Sequence, residues 1–293
     1  MTQHLKIGWI GAGKMGLPIC LRLKAAGHHV QVLARSSQTN EKLEQIRLHP
    51  KTSVADVCKD ADIVFSSVSD DMALCDIIFS TSGLAASIPD GAIFIDISTV
   101  SPSASRKVAE RLEQRGVPYL RSPVSGSTMM AESGSLTAMV SGPQANFVLV
   151  QPLLAHFTRK CFYVGPEEEA RYMKLVLNIM VAATSALLAE ALAFGNNGGL
   201  DKVTMLDVIN QSVVGSPLIA YKTDMIVKDD YRPAATLSML QKDVDLFLAT
   251  AQAGGLKPAL SSHICQIYRE AALHGLGEKD FFVLVQHALR SAS

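Results

Sequence analysis

Two patterns of apolar positions divide the sequence into an N-terminal and a C-terminal part. From residue 5 to about residue 164, short apolar runs alternate with stretches of helical periodicity, and Gly, Pro, Asp and Ser separate them. This alternation is typical of a mostly parallel sheet covered by helices on both faces, so the expected fold class is α/β. The predicted strands are residues 5–10, 29–34, 61–68, 91–97, 117–120, 136–142 and 160–165.

After residue 166 the strand signal fades, and apolar residues recur at helical spacing. The predicted helices are residues 167–195, 201–212, 237–254 and 258–274. The first of these has neither Pro nor Gly between its ends and would form one helix of roughly 40 Å. The sequence therefore predicts one domain over residues 1–165 and an all-helical domain over residues 166–293, joined by a long interdomain helix.

Composition narrows the class of protein and of partner. The chain has 293 residues, of which 48% are hydrophobic, which is ample for packed cores. Lys and Arg total 27 and Asp and Glu total 27, so there is no basic excess to bind nucleic acid. The five cysteines are dispersed and never have C-x-x-C spacing, which argues against a disulfide framework and for a reducing compartment. We expect a cytoplasmic protein without a nucleic-acid partner.

The sequence predicts neither a secretion signal nor a membrane span. Residues 1–13 lead directly into a strand pattern and lack the basic, apolar and small-residue regions of a signal peptide. The longest apolar run, residues 175–189, is shorter than the roughly 18 to 20 residues needed to span a bilayer, and it contains Asn178. We expect this run to be a helix buried in protein.

A glycine-rich segment, GAGKMG, directly follows the first predicted strand and starts a helical pattern. Its three glycines have G-x-G-x-x-G spacing, which allows a tight turn, close approach of the backbone to a pyrophosphate, and close packing of helix on strand. The order strand, turn, helix favours a dinucleotide site in a Rossmann-type domain over chance turn glycines. The residues expected to contact the cofactor here are Gly11, Gly13, Lys14, Met15 and Gly16.

The residues after the second predicted strand indicate which dinucleotide binds. An NAD site usually carries an acid about 20 residues after the glycines, where it accepts from the ribose hydroxyls. Ala34 takes that position, and Arg35 and Ser36 follow it with a cation and a hydroxyl suited to a 2′-phosphate. The alternative is that Arg35 is a solvated surface charge. The expected cofactor is NADP, with NAD as the alternative.

A lysine and an asparagine stand in an otherwise apolar stretch, RYMKLVLN, at residues 171–178. Positions four apart share a helix face, so Lys174 and Asn178 point the same way. An amine held among apolar groups has its charged form disfavoured, which suits it to proton exchange near neutral pH. The alternative is a lysine whose stem covers apolar surface while its amine reaches water. The glycine-rich turn favours the catalytic role.

Five segments, in this order, resemble the motifs of the β-hydroxyacid dehydrogenases. They are IGWIGAGKMG near the start, DISTVSP at 96–102, SPVSGSTMMAESGSL at 122–136, MKLVLN at 173–178 and LQKDVDL at 240–246. That family includes 3-hydroxyisobutyrate dehydrogenase, tartronate semialdehyde reductase and the glyoxylate/succinic semialdehyde reductases, and it is 6-phosphogluconate dehydrogenase-like. The motifs extend over most of the chain.

The resemblance implies roles for individual residues. Lys174 would donate and accept the proton of the reaction, and Asn178 would help to hold the substrate. Ser125 and Gly126 would bind the substrate carboxylate through a hydroxyl and a backbone N–H. The other residues implied are Ser98 beside the substrate, Val68, Thr99 and Lys242 beside the cofactor, and Asp243 as the structural partner of Lys242.

The chain also departs from the family pattern. Arg121, Ser122 and Pro123 stand where Asp-Ala-Pro is usual, Ser127 replaces a frequent glycine, and Leu177 and Ala170 replace an asparagine and a glycine. Ser127 and the AESGSL segment lean towards the glyoxylate and succinic semialdehyde reductases. Arg121 is either a cation for a second substrate carboxylate or a packed surface arginine.

The expected function is NADP(H)-dependent interconversion of a small β-hydroxyacid and its semialdehyde or oxo-acid. Two alternatives remain: an imine reductase, a related fold that tends to lack the lysine, and a non-catalytic dinucleotide-binding interaction module. The apolar helical half predicts a homodimer or homotetramer.

The histidines give no metal signal in the sequence. His28 and His29 precede a predicted strand and are expected to be exposed in a loop. His156, His263 and His287 lie in helical stretches without a metal-type partner three or four residues away. No metal is expected.

Overall fold

The computed structural model describes residues 4–34 and 37–291. Contacts between residues divide the chain into two compact units, Met1–Lys174 and Leu175–Ser293. The sequence predicts the boundary after residue 165, whereas this division falls inside a single long helix. The first unit is α/β and the second is helical, which confirms the predicted fold class.

Within its described residues, the first unit contains nine strands that form one sheet. They are β1 (Lys6–Ile10), β2 (His29–Leu33), β3 (His49–Lys51), β4 (Ile63–Ser66), β5 (Ile93–Asp96), β6 (Tyr119–Arg121), β7 (Val124–Ser125), β8 (Leu136–Ser141) and β9 (Thr158–Gly165). The seven predicted strands are all present. The two that were missed, β3 and β7, are three and two residues long and carry no apolar run of their own.

The strand order is β3-β2-β1-β4-β5-β6-β8-β7, and β9 pairs with β8. Pairs from β3 to β6 are parallel, β8 is antiparallel to β6 and β7, and β8 and β9 are parallel. The predicted Rossmann-type, mostly parallel sheet is therefore confirmed. The order reverses between β1 and β4, and open α/β sheets bind ligands outside the carboxyl ends of strands at such a point.

Alternate residues of the central strands pack into different apolar clusters. Ile63 and Phe65 of β4 join a cluster that contains Trp9, whereas Val64 joins a second cluster that contains Phe94. Because successive side chains of a strand point to opposite faces, the sheet is covered on both sides. This explains why its strands read as nearly continuous apolar runs.

Eight helices connect the strands in the described part of the first unit. They are α1 (Gly16–Ala25), α2 (Ser37–Gln45), α3 (Val54–Cys58), α4 (Asp71–Phe79), α5 (Leu84–Ser87), α6 (Pro102–Glu113), α7 (Thr128–Ser133) and α8 (Gln144–Leu154). A ninth, α9 (Glu169–Asn197), begins in the first unit and continues into the second. It is the long helix predicted from the sequence.

The second unit adds five helices and one π-helical turn among its described residues. They are α10 (Lys202–Gln211), α11 (Pro217–Val227), α12 (Leu237–Ala253), α13 (Ala259–Ala271), the π-turn (Ala272–Leu276) and α14 (Val283–Ser291). Helix α11 was not predicted, and α14 was indicated only by the helical stretch around His287. A start signal for α11 was present, because Ser216 caps it by accepting from the N–H of Ile219, with Pro217 in the first turn.

By length and composition, α9 is long and apolar enough to cross a membrane. Among the described residues it is the one helix of this kind. The expectation that its apolar run is too short is therefore wrong for the helix as a whole. Core helices of soluble proteins can have the same length and composition, and 44% of the apolar window is buried, so one such helix is weak evidence for a span.

Candidate active site

The glycine-rich turn connects β1 to α1, and packing explains two of its three glycines. Gly11 has φ +93°, and a Cβ at this position would collide with the carbonyl oxygen of Ser67. A Cβ at Gly16 would collide with the carbonyl oxygen of Gly11. At Gly13, by contrast, no atom of the described chain lies within 4 Å of an added Cβ. The turn is therefore tight at both ends and open in the middle.

The start of α1 has the character of an anion site. Within this fully described helix, the N-cap residue Met15 provides no side-chain hydrogen bond, and the first turn contains no acidic residue. The first N–H groups of a helix point outward with a partial positive charge. Lys14 is exposed beside them. A pyrophosphate fits this arrangement, since it needs donors, positive potential and an open approach at Gly13.

The residues expected to select NADP cannot be placed in the same way. Ala34 follows β2, and its N–H donates to the carbonyl oxygen of Lys51 over 2.8 Å. Arg35 and Ser36, which come next, lie outside the described residues. Their role towards a 2′-phosphate stays a prediction.

A chain of hydrogen bonds joins the carboxyl ends of β4 and β5. The Ser98 hydroxyl donates to Asp96 over 2.6 Å and accepts from the N–H of Val68 over 2.8 Å. The Ser66 hydroxyl also donates to Asp96. Ser98 is only 3% exposed, whereas its neighbour Thr99 is half-buried. The Ser98 hydroxyl thus holds Val68 and the ends of β4 and β5 in place, whereas Thr99 is partly exposed to solvent.

Arg171, three residues before Lys174, was not singled out in the sequence although it lies in the quoted segment. It is 1% exposed and forms an ion pair with Asp96. Nη2, which makes this ion pair, also donates to the phenol of Tyr119 over 2.7 Å, while Nη1 donates to the carbonyl oxygen of Ser98 over 2.7 Å and Nε to the hydroxyl of Ser105 over 3.1 Å. Burial raises the pKa of Tyr119, so the phenol stays protonated. The first turn of α9 is thereby fixed to the strand ends.

Lys174 itself contacts the predicted substrate loop. Its Nζ donates to the carbonyl oxygen of Val124 over 2.9 Å, and the side chain is half-buried. Val124 immediately precedes Ser125 and Gly126 in the chain. Gly126 has φ +139°, and a Cβ there would lie 2.7 Å from Cδ2 of Leu136, so the loop requires glycine. The structure therefore brings Lys174 to the start of the loop expected to hold a carboxylate.

Asn178 and Lys242, both in the second unit, share one carboxylate. Nδ2 of Asn178 donates to Oδ2 of Asp243 over 2.6 Å. Nζ of Lys242 lies 3.1 Å from Oδ1 of the same carboxylate. Asp243 thus connects α9 to α12, in agreement with its expected place as a structural partner of Lys242.

Arg121 is neither a surface arginine nor an unneutralised cation. It is 6% exposed, its Nε donates to Oε1 of Glu168 over 3.1 Å, and its guanidinium lies 4.3 Å from the centre of the Tyr119 ring. Glu168 is 4% exposed. Because this carboxylate neutralises Arg121, the pair is a structural contact between β6 and the segment before α9.

Comparison with known proteins identifies the family. Residues 6–165 match the family described as the NAD binding domain of 6-phosphogluconate dehydrogenase, and residues 169–288 match the one described as NAD-binding of NADP-dependent 3-hydroxyisobutyrate dehydrogenase. The chain belongs to the β-hydroxyacid dehydrogenase family. It is therefore an NAD(P)-dependent oxidoreductase of the hydroxyacid dehydrogenase type, which confirms the expected family, enzyme class and cofactor class.

Named relatives agree with this family. Glyoxylate/succinic semialdehyde reductase 2 of Arabidopsis thaliana is 28% identical over 288 residues, which are 98% of this chain and 80% of that protein. The 2-hydroxy-3-oxopropionate reductase of Escherichia coli is 28% identical over 282 residues, 96% of each chain. The solved structure of Psf3 in complex with NADP+ is 25% identical, with a TM-score of 0.87 over 96% of this chain and 99% of that chain.

Two further proteins are similar to this chain over most of its length. A Myxococcus stipitatus imine reductase in complex with NAD+ has a TM-score of 0.67 and 19% identity over 97% of this chain and 99% of that chain, which shows a shared fold. The cytokine-like nuclear factor N-PAC of Anopheles gambiae is 29% identical over 281 residues, 95% of this chain but 49% of that protein.

Proposed function

We propose that the protein interconverts a small β-hydroxyacid and its semialdehyde or oxo-acid with NADP(H), and that Lys174 is the general acid and base. The observation that carries this proposal is the 2.9 Å hydrogen bond from Nζ of Lys174 to the carbonyl oxygen of Val124. It fixes an amine beside Ser125 and Gly126, the pair that resembles the family's carboxylate-binding residues. A proton donor and a carboxylate anchor thus lie at one loop.

Each residue then has a defined task. The bound nicotinamide dinucleotide supplies or accepts the hydride. The hydroxyl of Ser125 and the N–H of Gly126 hold the substrate carboxylate, while Nζ of Lys174 donates a proton to the nascent alkoxide oxygen in reduction and removes it in oxidation. The Val124 carbonyl orients the amine without competing as a base. Asn178 assists with the substrate, and Ser98 positions Val68 instead of touching substrate.

Substitution of Lys174 tests this assignment. Because general acid–base catalysis contributes about 10²- to 10⁴-fold, Lys174→Ala should lower kcat by at least about 100-fold while NADPH binding, followed by fluorescence titration, persists. Lys160→Ala, an exposed lysine on β9, is the matched control and should retain activity. Turnover by Lys174→Ala equal to that of the wild type would refute the assignment.

The proposed substrate class rests on Ser127 and on the similarity to the reductases of Arabidopsis thaliana and Escherichia coli. The first proposed substrate is 2-hydroxy-3-oxopropionate, whose reduction gives a β-hydroxyacid. Glyoxylate and succinic semialdehyde are also small carboxylates with a reducible carbonyl, but their products carry the hydroxyl on the α- and the γ-carbon. A screen of kcat/KM for these three with NADPH and NADH measures both preferences. NADPH should be preferred, because Arg35 and Ser36 suit a 2′-phosphate. A preference for NADH would remove that role of Arg35.

The same screen, extended to cyclic imines, separates the alternatives. An imine reductase would reduce cyclic imines and leave the semialdehydes untouched. A non-catalytic module would bind NADPH but turn over neither class. The presence of Lys174 at the carboxylate loop favours the dehydrogenase over both.

The proposal includes a cytoplasmic homodimer or homotetramer. Four exposed apolar residues of α9 in the second unit, Val176, Met180, Leu187 and Phe194, lie within about 40° of arc on the helix. An apolar stripe of this kind is typical of a surface covered by another subunit. Light scattering of the wild type should give a molar mass that is a multiple of the chain mass. The variant Leu187→Glu should have a lower molar mass. Val208→Glu, an exposed valine of α10, is the control.

A further inference from the structure

Two histidines and a glutamate meet at the C-terminal end of the second unit. Glu270 lies in the last turn of α13, His274 in the π-turn that follows, and His287 in α14. One ligand atom of each lies within 4.8 Å of the other two, and this is the one set of three His, Cys, Asp or Glu side chains so arranged in the chain from 4 to 34 and 37 to 291. The two imidazole rings are 5.1 Å apart between centres.

A hydrogen bond fixes which nitrogen of His274 can bind a cation. Nδ1 of His274 lies 2.8 Å from the carbonyl oxygen of Glu270. A carbonyl oxygen only accepts, so Nδ1 must carry the proton, and the lone pair of the neutral ring is on Nε2. Metal-binding histidines usually donate their second ring nitrogen to a carbonyl or carboxylate in this way, which orients the ring and raises its basicity.

The backbone between the ligands is shaped to bring them together. Helical geometry breaks at His274 and Gly275, and Gly275 has φ +77°. The chain then turns back so that α14 presents His287 beside the ring of His274. Glu270 and His274 are exposed and His287 is half-buried, so an ion can reach the cluster from solvent. A tetrahedral zinc site has ligand atoms about 3.3 Å apart, so binding would draw the three ligand atoms closer than the 4.8 Å within which they now lie.

We propose that Glu270, His274 and His287 bind one divalent transition-metal ion, of which Zn²⁺ is the best match. Two imidazoles and a carboxylate favour Zn²⁺, Co²⁺ or Ni²⁺ over Mg²⁺ and Ca²⁺, which prefer all-oxygen ligand sets. With three protein ligands the ion keeps a fourth position for water. The bound ion joins the end of α13 to α14 and closes the loop between them. The site is independent of the proposed oxidoreductase activity.

The test is calorimetric titration of the untagged, chelator-treated full chain with Zn²⁺, with Mg²⁺ as the comparison ion. The wild type should bind one Zn²⁺ per chain and show a Tm that rises with Zn²⁺ concentration, and Mg²⁺ should do neither. Co²⁺ in place of Zn²⁺ should give the visible absorption of a four-coordinate site.

Variants assign the ligands. Because loss of an outer-shell partner alone costs about 10- to 100-fold in metal affinity, His287→Ala should weaken Zn²⁺ binding by about 100-fold or more. Glu270→Gln should weaken it as well. His263→Ala removes an exposed histidine of α13 outside the cluster and should leave binding unchanged. All three positions are at least partly exposed, so metal-free Tm values should match the wild type. Equal Zn²⁺ affinity in His287→Ala and the wild type would overturn the proposal, as would equal loss in His263→Ala.

Discussion

The guanidinium of Arg171 and the carboxylate of Asp96 form an ion pair with side-chain exposures of 1% and 0%. The hydroxyls of Ser66 and Ser98 donate hydrogen bonds to Asp96, and Arg171 donates to the hydroxyls of Tyr119 and Ser105. Removal of one partner would leave the other charge buried and uncompensated, which typically costs about 3–5 kcal/mol.

Arg171→Met should therefore lower the free energy of unfolding by about 3–5 kcal/mol, measured by urea denaturation. Asp96→Asn should destabilise by a similar amount, because it leaves the arginine without a counter-charge. The double variant should cost less than the sum of the two single variants, since it removes both charges. Strictly additive effects would show that the two residues are not coupled.

Gly11 and Gly13 should respond in opposite ways to the same substitution. Gly11→Ala places a Cβ against Ser67 at a positive φ, and should lower the free energy of unfolding by about 1–3 kcal/mol. Gly13→Ala meets no described atom and should keep the wild-type Tm. It should nevertheless raise the Kd for NADPH by at least about tenfold, because the Cβ occupies the open approach for the pyrophosphate. Tm and NADPH titration on both variants measure the contrast.

Removal of the Ser98 hydroxyl should weaken cofactor binding more than it slows the chemical step. Ser98→Ala leaves the N–H of Val68 and one oxygen of Asp96 without this partner. The expected result is a rise in KM for NADPH of about five- to tenfold with a smaller change in kcat. Ser103→Ala removes an exposed hydroxyl of α6 and should alter neither constant. A fall in kcat at unchanged KM would instead favour direct contact of Ser98 with substrate.

Histidines near the start of β2 should make stability depend on pH. Burial, followed by the charges of His156 and His4, lowers the pKa of His28 from 6.5, and Nδ1 of His28 accepts from the N–H of Leu5 over 3.2 Å. The unfolded chain therefore binds more protons than the folded one below about pH 6.5. This contribution to stability is complete above that pH and declines as the pH falls.

Urea midpoints between pH 7.5 and pH 5.5 measure the effect. The midpoint should fall with pH in the wild type and fall less in His28→Asn, which keeps an acceptor near Nδ1 but cannot be protonated. His263→Asn, at an exposed position, should follow the wild type. An identical pH profile for His28→Asn and the wild type would contradict the prediction. The sequence suggested an exposed His28, but the side chain is 8% exposed, since its ring lies 5.3 Å from that of His156 and Nδ1 accepts from the N–H of Leu5.

The sequence predicted those helices and strands whose pattern of apolar positions extends over enough residues to be recognised. Seven strands and the 29-residue helix α9 carry repeated apolar positions, and all were found. The strands β3 and β7 depend on pairing with neighbours that are distant in sequence, as Ser125 pairs opposite Thr137. Such pairing leaves no local pattern. Helix α11 had a start signal at Ser216 and Pro217 that could have been used.

Some residues of the site can be predicted from their neighbours in the sequence, whereas the roles of others depend on partners that are distant in the sequence. The glycine-rich turn and Lys174 can be recognised from the residues next to them in the sequence. The partner of Arg121 is Glu168, and that of Arg171 is Asp96, and no spacing rule connects residues so far apart. The cluster at His287 combines both kinds of information: Glu270 and His274 are four residues apart, a spacing visible in the sequence, whereas no spacing along one helix connects this pair to His287.

The amine of Lys174 is held by a main-chain carbonyl, and this has a consequence for how such an enzyme can diversify. A carbonyl oxygen is present whatever side chain occupies position 124, so replacement of nearby side chains leaves the anchor of the proposed proton donor in place. The resemblance to the family motifs already includes departures at Arg121, Ser122 and Ser127, and the hydrogen bond to Val124 is made beside them. Under the proposed roles of Lys174 and of this loop, substrate preference can therefore be retuned by exchanging side chains along the loop while the proton donor stays anchored, which makes the loop a suitable target for directed evolution.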